Sequence, residues 1–183
     1  MKLPRWAELG RMGWKHTGAK RPPFAETPGP GQESVWDYPR PPLLVGDDRR
    51  VEVMVDGVVI ADTTEAARVL ETSHPPTFYL PRRDVVMDHL EAVGRGSRCE
   101  WKGEASYFDV VVGDSRLSRV AWSYEAPFGE FEPLAGHVCF YASKLDCLVG
   151  GERVKPQPGG FYGGWITPEL VGPFKGESGT SGW

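Results

Sequence analysis

The sequence lacks a long apolar run and also lacks an excess of basic residues. No stretch reaches the roughly 18 apolar residues that a membrane-spanning helix needs, and the first residues hold no apolar segment typical of a signal peptide. The 21 Lys and Arg are outnumbered by 25 Asp and Glu, so we expect no basic surface for nucleic acid. We therefore expect a cytoplasmic protein that binds neither membrane nor nucleic acid, and further expect a monomer or weak dimer.

Cysteine is sparse. The three cysteines, Cys99, Cys139 and Cys147, are an odd number and too few for a disulfide framework, which favours reduced thiols. No Cys-x-x-Cys pair, the spacing typical of structural zinc sites, occurs in the sequence. The one close pair of soft ligands is His137 and Cys139, alternate residues of a predicted strand and more typical of a core. We expect no metal and no other cofactor.

Aromatic residues are abundant by contrast, because 7 Trp, 6 Tyr and 8 Phe are present in 183 residues. Glycine and proline concentrate toward the two ends of the chain. We predict a flexible N-terminal arm over residues 1–33, one domain over 34–155, and a Gly-rich tail over 156–183 that packs on the domain. The rings that favour a packed tail over a disordered one are Phe161, Tyr162, Trp165, Phe174 and Trp183.

The middle of the chain predicts β-strands. Residues 51–55 and 58–61 are β-branched runs joined by Asp56-Gly57, a pair that suits the positive φ angles of a type I′ hairpin turn. Short strands are predicted over 77–80 and 137–141. A closing hairpin is predicted from residues 147–149 and 153–154.

Two short helices are predicted within this β-rich region. Asp62 and Glu65 resemble a capping box and precede an apolar stripe, which indicates a helix to about residue 71. Apolar residues at helical spacing indicate a second helix over residues 85–91. The predicted class is therefore mainly β with two short helices.

A long hairpin is predicted over residues 104–124, with its turn at residues 113–115. Two registers are open, because a slip of one residue exchanges the faces of a strand. The first register places a uniformly apolar set on one face, namely Phe108, Val110, Val120, Trp122 and Tyr124. The second register places Tyr107 beside Trp122. We favour the first.

Residues 99–107 read C-E-W-K-G-E-A-S-Y and resemble the C-x-W-K-G-x-A-x-Y signature of a family known as domain of unknown function 427. The resemblance covers roughly residues 34–183, and its flanks are similar to one bacterial subgroup. Further matches, in the same order along the chain, are residues 57–62, Glu71, 79–81, 122–124 and 140–141, with flanking motifs at 35–41, 160–166 and 172–176.

The resemblance implies a β-tent-like fold, in which two antiparallel sheets meet at an angle over a shared core. Methionine sulfoxide reductase B and the thalidomide-binding domain of cereblon have similar architectures. The first is an enzyme and the second a binding module, so the fold alone does not choose a function.

The family also carries a nucleotidyltransferase label, but the residues for that chemistry are weakly represented. Nucleotidyl transfer needs two carboxylates on Mg²⁺ and a phosphate cradle. The only acidic-x-acidic sequence is Glu130-Phe131-Glu132, in a loop bounded by Gly and Pro. No phosphate-binding P-loop motif is present. A solvated acidic loop is the favoured interpretation.

The favoured function is the binding of a small molecule, with an enzyme and a protein-interaction scaffold as alternatives. Rings with a few convergent polar groups are the usual form of a ligand pocket. As an enzyme, the protein would use Cys99, whose thiolate the nearby Lys102 would favour, or Lys102 itself, on an anionic substrate. We predict a pocket with Glu71 and Lys102 as paired polar anchors and with aromatic walls from Tyr79, Trp101, Tyr107, Trp122 and Tyr124.

The absence of Cys-x-x-Cys pairs generates a first prediction. The purified protein is expected to contain no stoichiometric zinc, because four suitable ligands at zinc spacing are missing from the sequence. Elemental analysis checks this. About one zinc per chain would contradict it and would make His137 and Cys139 the first ligands to replace.

Overall fold

The computed structural model describes residues 2–183 apart from the side chain of Arg95. Strands make up 39% of the chain and helices 12%, which confirms the predicted mainly β class. Within these residues the helical segments are α1 (Arg5–Gly10) and short 3₁₀ helices at Val35–Asp37, Arg82–Asp84, Met87–His89 and Gly129–Leu134. The strands are β1 (Glu33–Ser34), β2 (Leu43–Asp47), β3 (Val51–Val55), β4 (Val58–Thr63), β5 (Ala66–Leu70), β6 (Thr77–Tyr79), β7 (Leu90–Cys99), β8 (Gly103–Val112), β9 (Ser115–Ser123), β10 (Val138–Phe140), β11 (Asp146–Val149), β12 (Glu152–Arg153), β13 (Lys155–Pro156), β14 (Trp165–Ile166) and β15 (Leu170–Val171).

Two four-stranded antiparallel sheets form the main body of the fold. Their strand orders are β10-β9-β8-β7 and β12-β11-β3-β4. A three-stranded sheet, β2-β5-β6, joins the first of them, because Leu80 and Val138 exchange two backbone hydrogen bonds of 2.9 Å. The short pairs β1-β15 and β13-β14 bring the C-terminal segment back to the domain.

The apolar core is divided between the sheets. One cluster draws its residues from β3, β4 and β11 of one sheet and from β8, β9 and β10 of the other, so the two sheets share it. A second cluster lies toward the three-stranded sheet and includes Val69, Tyr79, Ala105, Trp122 and Cys139. The expected pair of antiparallel sheets over a shared core is therefore present, and a second, more aromatic core adjoins it.

The short-range hairpin predictions are confirmed. Asp56 and Gly57 have φ angles of 50° and 79°, as a type I′ turn requires, and Val55 pairs with Val58 across it. Strands are present at both other predicted short sites, as β6 and β10. The closing hairpin pairs Val149 with Glu152.

The helix predicted over residues 62–71 is wrong. Residues Ala66–Leu70 form β5, the middle strand of its sheet, which pairs with β2 on one side and β6 on the other. Thr63 caps a turn instead, by accepting a hydrogen bond of 3.0 Å from the Glu65 amide. Pairing on both edges, together with an ion pair of 3.0 Å between Arg68 Nε and Asp47 Oδ2 of β2, outweighs the modest helix propensity of this segment.

The helix predicted over residues 85–91 is also wrong. Val85 forms an isolated bridge with Ala61, and the Val86 amide donates to the Ile60 carbonyl at 2.8 Å. The segment has only a 3₁₀ turn at Met87–His89 before β7 begins at Leu90. A neighbouring strand edge therefore provides the hydrogen bonds that a helix would have supplied.

The favoured register of the long hairpin is wrong, and the other one is present. Tyr107 pairs with Trp122, and Phe108 with Ala121. An irregular stretch follows on β9, where Arg119 adopts a φ of 52°. This bulge interrupts the alternation of the strand, so Val120 joins the shared core with Phe108 while Trp122 faces the aromatic one.

Both ends of the chain contact the domain. Arg11 donates from Nε to the Glu100 carbonyl at 2.8 Å and from Nη2 to the Trp101 carbonyl at 3.1 Å. In the C-terminal segment, the fully buried Trp165 stacks on Phe78 with ring centroids 5.0 Å apart. The division into an arm, a domain and a tail at residues 33/34 and 155/156, and the flexibility of the arm, stay predictions.

The part of the chain that the structure describes contains no helix long and apolar enough to cross a membrane.

The burial of Trp165 predicts that the C-terminal segment contributes strongly to stability. Trp165→Ala should lower the free energy of unfolding by about 3–5 kcal/mol, because it empties a core site and removes the 2.8 Å hydrogen bond from Nε1 to the Phe140 carbonyl. The control is Phe161→Ala, at a ring that is 66% exposed, which should change stability little. Denaturant melts measure both variants. A loss of stability in Trp165→Ala as small as that in Phe161→Ala would contradict the prediction.

Candidate functional site

A cavity of about 250 Å³ opens beside the aromatic core. Its walls come from β5 and β6, from the ends of β7 and β8, from β9, and from segments near both ends of the chain. The residues predicted for a pocket that do line it are Glu71, Tyr79, Lys102, Tyr107, Trp122 and Tyr124, together with Cys99. The remaining one, Trp101, is 3% exposed and packs in the aromatic core behind the cavity.

Glu71 follows β5 directly and is paired with Arg40, whose Nε lies 2.9 Å from its Oε1. The predicted partner, Lys102, lies on the same cavity but does not form this ion pair. A strand and not a helix precedes Glu71. Burial alone would raise the pKa of Glu71, but His74, Lys102 and Arg40 together hold that pKa below its ordinary value.

Lys102 is 8% exposed and lies on the cavity beside Cys99. Its Nζ lies 5.9 Å from the centroid of the Tyr124 ring and 5.6 Å from that of Phe131, within cation–π range. Burial would lower the pKa of this ammonium, but Cys99 and Glu71 raise the pKa above its ordinary value. Lys102 is therefore a buried positive charge at neutral pH.

His74 enters the site as a neutral hydrogen-bond donor. The Gln157 side chain accepts from the Gly164 amide through Oε1 at 3.1 Å, which assigns Nε2 as its donor, bonded to the Lys175 carbonyl at 2.8 Å and to His74 Nδ1 at 3.0 Å. His74 Nδ1 is therefore an acceptor without a proton. Burial, the largest cause, and the cations Lys175, Arg40 and Lys102 lower the pKa of His74 to about 4, despite the opposing charge of Glu71. The single ring proton at neutral pH is on Nε2.

Lys175 brings a second ammonium to the cavity from the C-terminal segment. The residue is 1% exposed, and its Nζ donates to the Trp183 carbonyl at 2.9 Å. Burial and the charge of Arg40 lower its pKa to about 8. The group is therefore mostly charged at pH 7 and loses its charge in mildly alkaline solution.

Trp14 closes one side of the cavity from the N-terminal segment. Its ring lies between the Arg40 guanidinium, 4.1 Å from the centroid, and Lys175 Nζ, 4.4 Å away. The buried Nε1 atom has no hydrogen-bond acceptor among residues 2–183. An indole N–H left without a partner costs free energy, and this atom is buried, so the ring rather than the N–H borders the cavity.

The aromatic walls are closely packed. Trp122 and Tyr141 are in contact with ring centroids 4.5 Å apart. A side chain at Gly163 would place its Cβ only 2.0 Å from Cη2 of Trp122. Glycine is therefore required at this position for the C-terminal segment to cover the Trp122 ring.

Cys99 is the one cysteine on the cavity, where it is half-buried and lies beside Lys102. His74 shares the cavity, but its Nδ1 is occupied by Gln157. Cys139 is fully buried, and burial raises its pKa well above the ordinary value. Among the residues that the structure describes, no three or more His, Cys, Asp or Glu side chains gather as a metal site would require.

Other lining residues were not predicted from the sequence. They include Trp14, His74, Tyr141, Gln157, Tyr162 and Lys175. The motifs that carry the family resemblance contain Tyr141, Tyr162 and Lys175. Those motifs could therefore have indicated these three residues as candidates for the pocket. Trp14 and Gln157 lie in no such motif, and only the fold brings them to the cavity.

Comparison with known proteins identifies a family. A family model described as a domain of unknown function (DUF427) matches residues 43–151. This match covers more than half of the chain, so the protein belongs to that family, as its motifs indicated. No curated protein matches the chain. Trp14, Gln157 and Lys175 lie outside the matched range, so part of the cavity wall comes from the flanks of the family domain.

The low pKa of His74 predicts a pH dependence of stability. Between pH 6.5 and about 4 the unfolded chain binds a proton at His74 that the native chain does not, so stability should decrease as the pH falls through this window, by roughly 3 kcal/mol in total. His74→Gln should remove this part of the slope. His89→Gln, with His74 intact, should retain it. Urea melts from pH 4 to 7 check the prediction, and identical slopes in wild type and His74→Gln would contradict it.

Proposed function

We propose that this domain binds a small anionic molecule in the cavity. The supporting observation is an imbalance of charge among its walls. Glu71 is already paired with Arg40, and Arg98 lies 3.1 Å from Glu104. Two buried ammonium groups then remain among the walls, Lys102 and Lys175, and Lys102 has no carboxylate within ion-pair distance in the part of the chain that the structure describes.

Buried charges without counter-charges are unfavourable. Taking an ammonium out of water costs several kcal/mol unless an anion or several acceptors compensate it. Lys102 has the thiol of Cys99 and Lys175 has one carbonyl, and neither arrangement saturates three ammonium protons. An acidic group bound between them would supply the missing acceptors.

The neutral groups support the same class of ligand. His74 lines the cavity, and its Nε2 is an N–H donor without an acceptor of its own among the described hydrogen bonds. A carboxylate or a phosphate accepts several hydrogen bonds and carries the required charge. A cationic ligand would meet the wrong charge and mostly donors.

The aromatic walls favour a flat apolar part in the same molecule. Trp122, Tyr124 and Tyr141 present ring surface to the cavity, and stacked or edge-on rings contribute beyond their buried area. A volume of about 250 Å³ fits a ligand of one or two rings. We therefore propose an aromatic or conjugated carboxylate or phosphate.

Nucleotidyl transfer receives less support. Glu130 lies in the 3₁₀ helix Gly129–Leu134 and forms a 3.0 Å ion pair with Arg11. Neither Glu130 nor Glu132 lines the cavity. The acidic step thus serves a contact with the N-terminal segment and adds no carboxylate to the cavity walls.

A second candidate, thiol chemistry on the same anionic molecule, rests on the position of Cys99 beside Lys102 on the cavity. Cys99→Ser distinguishes the two. Full retention of ligand affinity with no turnover product in the wild type supports a binding module. A covalent adduct on Cys99, seen by intact mass and absent from Cys99→Ser, supports the enzyme.

The charge imbalance predicts the outcome of a binding experiment. Wild-type protein titrated with benzoate, biphenyl-4-carboxylate and phenyl phosphate should bind at least one of them saturably, with a change in tryptophan fluorescence because Trp14 and Trp122 line the cavity. Lys102→Met keeps the apolar stem of the side chain and should weaken binding by about 10–100-fold, the value of one charge-assisted contact.

The matched control is Lys155→Met, which removes an exposed charge on β13 and should leave the affinity unchanged. Thermal melts confirm that both variants are folded. Failure of all three anions to bind the wild type, or equal affinity in Lys102→Met, would contradict the proposed function.

A further inference from the structure

A second cavity adjoins the first on its outer side. It has a volume of about 240 Å³ and shares three wall residues with the inner one, namely Tyr107, Tyr141 and Phe161. Beyond these rings it is lined by Arg119 and Lys144. The two cavities are thus separated by an aromatic wall, with cationic groups on both sides of it.

Arg119 is held in place by local structure. It lies in the β9 bulge with a φ of 52°, and bulges redirect a side chain from the face it would otherwise occupy. Its guanidinium lies 4.3 Å from the centroid of the Tyr107 ring. A Cβ at Gly96 would come within 2.3 Å of Arg119 Nη2 and 2.4 Å of Tyr107 Cδ2, so the absence of a side chain there makes room for this stack.

The Arg119 guanidinium has no acidic partner among residues 2–183, unlike most arginines of this protein. Arg116, three residues earlier, is paired with Asp109 at 2.6 Å and also with Glu91. The second Asp109 oxygen accepts from the Arg119 backbone amide at 2.9 Å. The nearby carboxylate is thus already used, and the guanidinium fork remains open to an external acceptor.

We propose that the ligand carries a second acidic group, which binds Arg119 and Lys144 in the outer cavity while the first binds Lys102 in the inner one. This inference rests on the proposed function and extends it to a ligand class, namely molecules with two carboxylates or phosphates on either side of a flat apolar middle. The middle lies against Tyr107 and Tyr141. Arg119 suits either acid, because its planar fork matches two oxygens at once.

The outer contact differs from the inner one in its sensitivity to salt. Arg119 and Lys144 are exposed, so dissolved ions screen their attraction for an anion, with a Debye length of about 8 Å at 0.15 M salt. Lys102 is buried and is screened much less. Salt should therefore reduce the contribution of the second acidic group more than that of the first.

A matched pair of probes tests the proposal, namely biphenyl-4-carboxylate and biphenyl-4,4′-dicarboxylate, titrated into the full-length wild type, Arg119→Ala and Lys155→Ala. The wild type should bind the dicarboxylate about tenfold more tightly, and this ratio should shrink at 0.5 M salt. Arg119→Ala should reduce the ratio toward one, because only the exposed Lys144 then remains for the second acidic group, and should leave the monocarboxylate affinity unchanged. Lys155→Ala should retain the full ratio.

The outcomes separate this inference from the proposed function. Monocarboxylate binding that depends on Lys102, with no advantage for the dicarboxylate, overturns the second contact and leaves the first standing. An advantage that persists undiminished in Arg119→Ala also overturns the second contact. If the monocarboxylate does not bind the wild type and the dicarboxylate binds through Arg119 alone, the inner assignment fails instead.

Discussion

The guanidinium of Arg40 connects three parts of the chain that are distant in sequence. It donates to Glu71 Oε1 and to the Thr72 carbonyl after β5, each at 2.9 Å, and to the His16 carbonyl at 2.9 Å. It also donates to the Trp183 carbonyl at 3.2 Å and packs on the Trp14 ring. A buried cation is tolerated only when its donors are satisfied. Arg40 meets that condition by holding the N-terminal segment, the domain and the C-terminal segment together, and the cavity lies where they meet.

This constraint explains why the site was only partly visible in the sequence. Lys102, Trp122 and Glu71 belong to local motifs and could be assigned to a pocket from them. Trp14 and Gln157 carry no local pattern, and their roles depend on the position of Arg40 and on the return of the C-terminal segment. Even the partner of Glu71 was assigned incorrectly, because Lys102 and Arg40 each lie 31 residues from it in the sequence and only the fold brings Arg40 within 2.9 Å.

The fold shows the same division between local and non-local information. The Asp56-Gly57 hairpin was predicted correctly because its turn angles and pairing are decided within a few residues. The segment Ala66–Leu70 has helix-forming residues, yet it is a strand because β2 and β6 offer pairing on both edges. The register of β8 and β9 depends on a bulge at Arg119, which apolar alternation does not reveal. Local chemistry therefore predicted the turns, and long-range pairing decided what lies between them.

The His74 proton couples the family domain to its flank. The ring carries its proton on Nε2 because Gln157 donates to Nδ1. Gln157 is oriented by the Gly164 amide and lies outside the matched range 43–151. A different residue at 157 would leave His74 free to adopt the other tautomer and present an acceptor to the cavity. The matched domain supplies the Lys102 charge and the ring of Trp122, whereas the flanks decide which hydrogen bonds the cavity offers. Two proteins that share this domain but differ at Trp14, Gln157 or Lys175 would thus keep the Lys102 charge while their cavities differ in hydrogen-bonding groups.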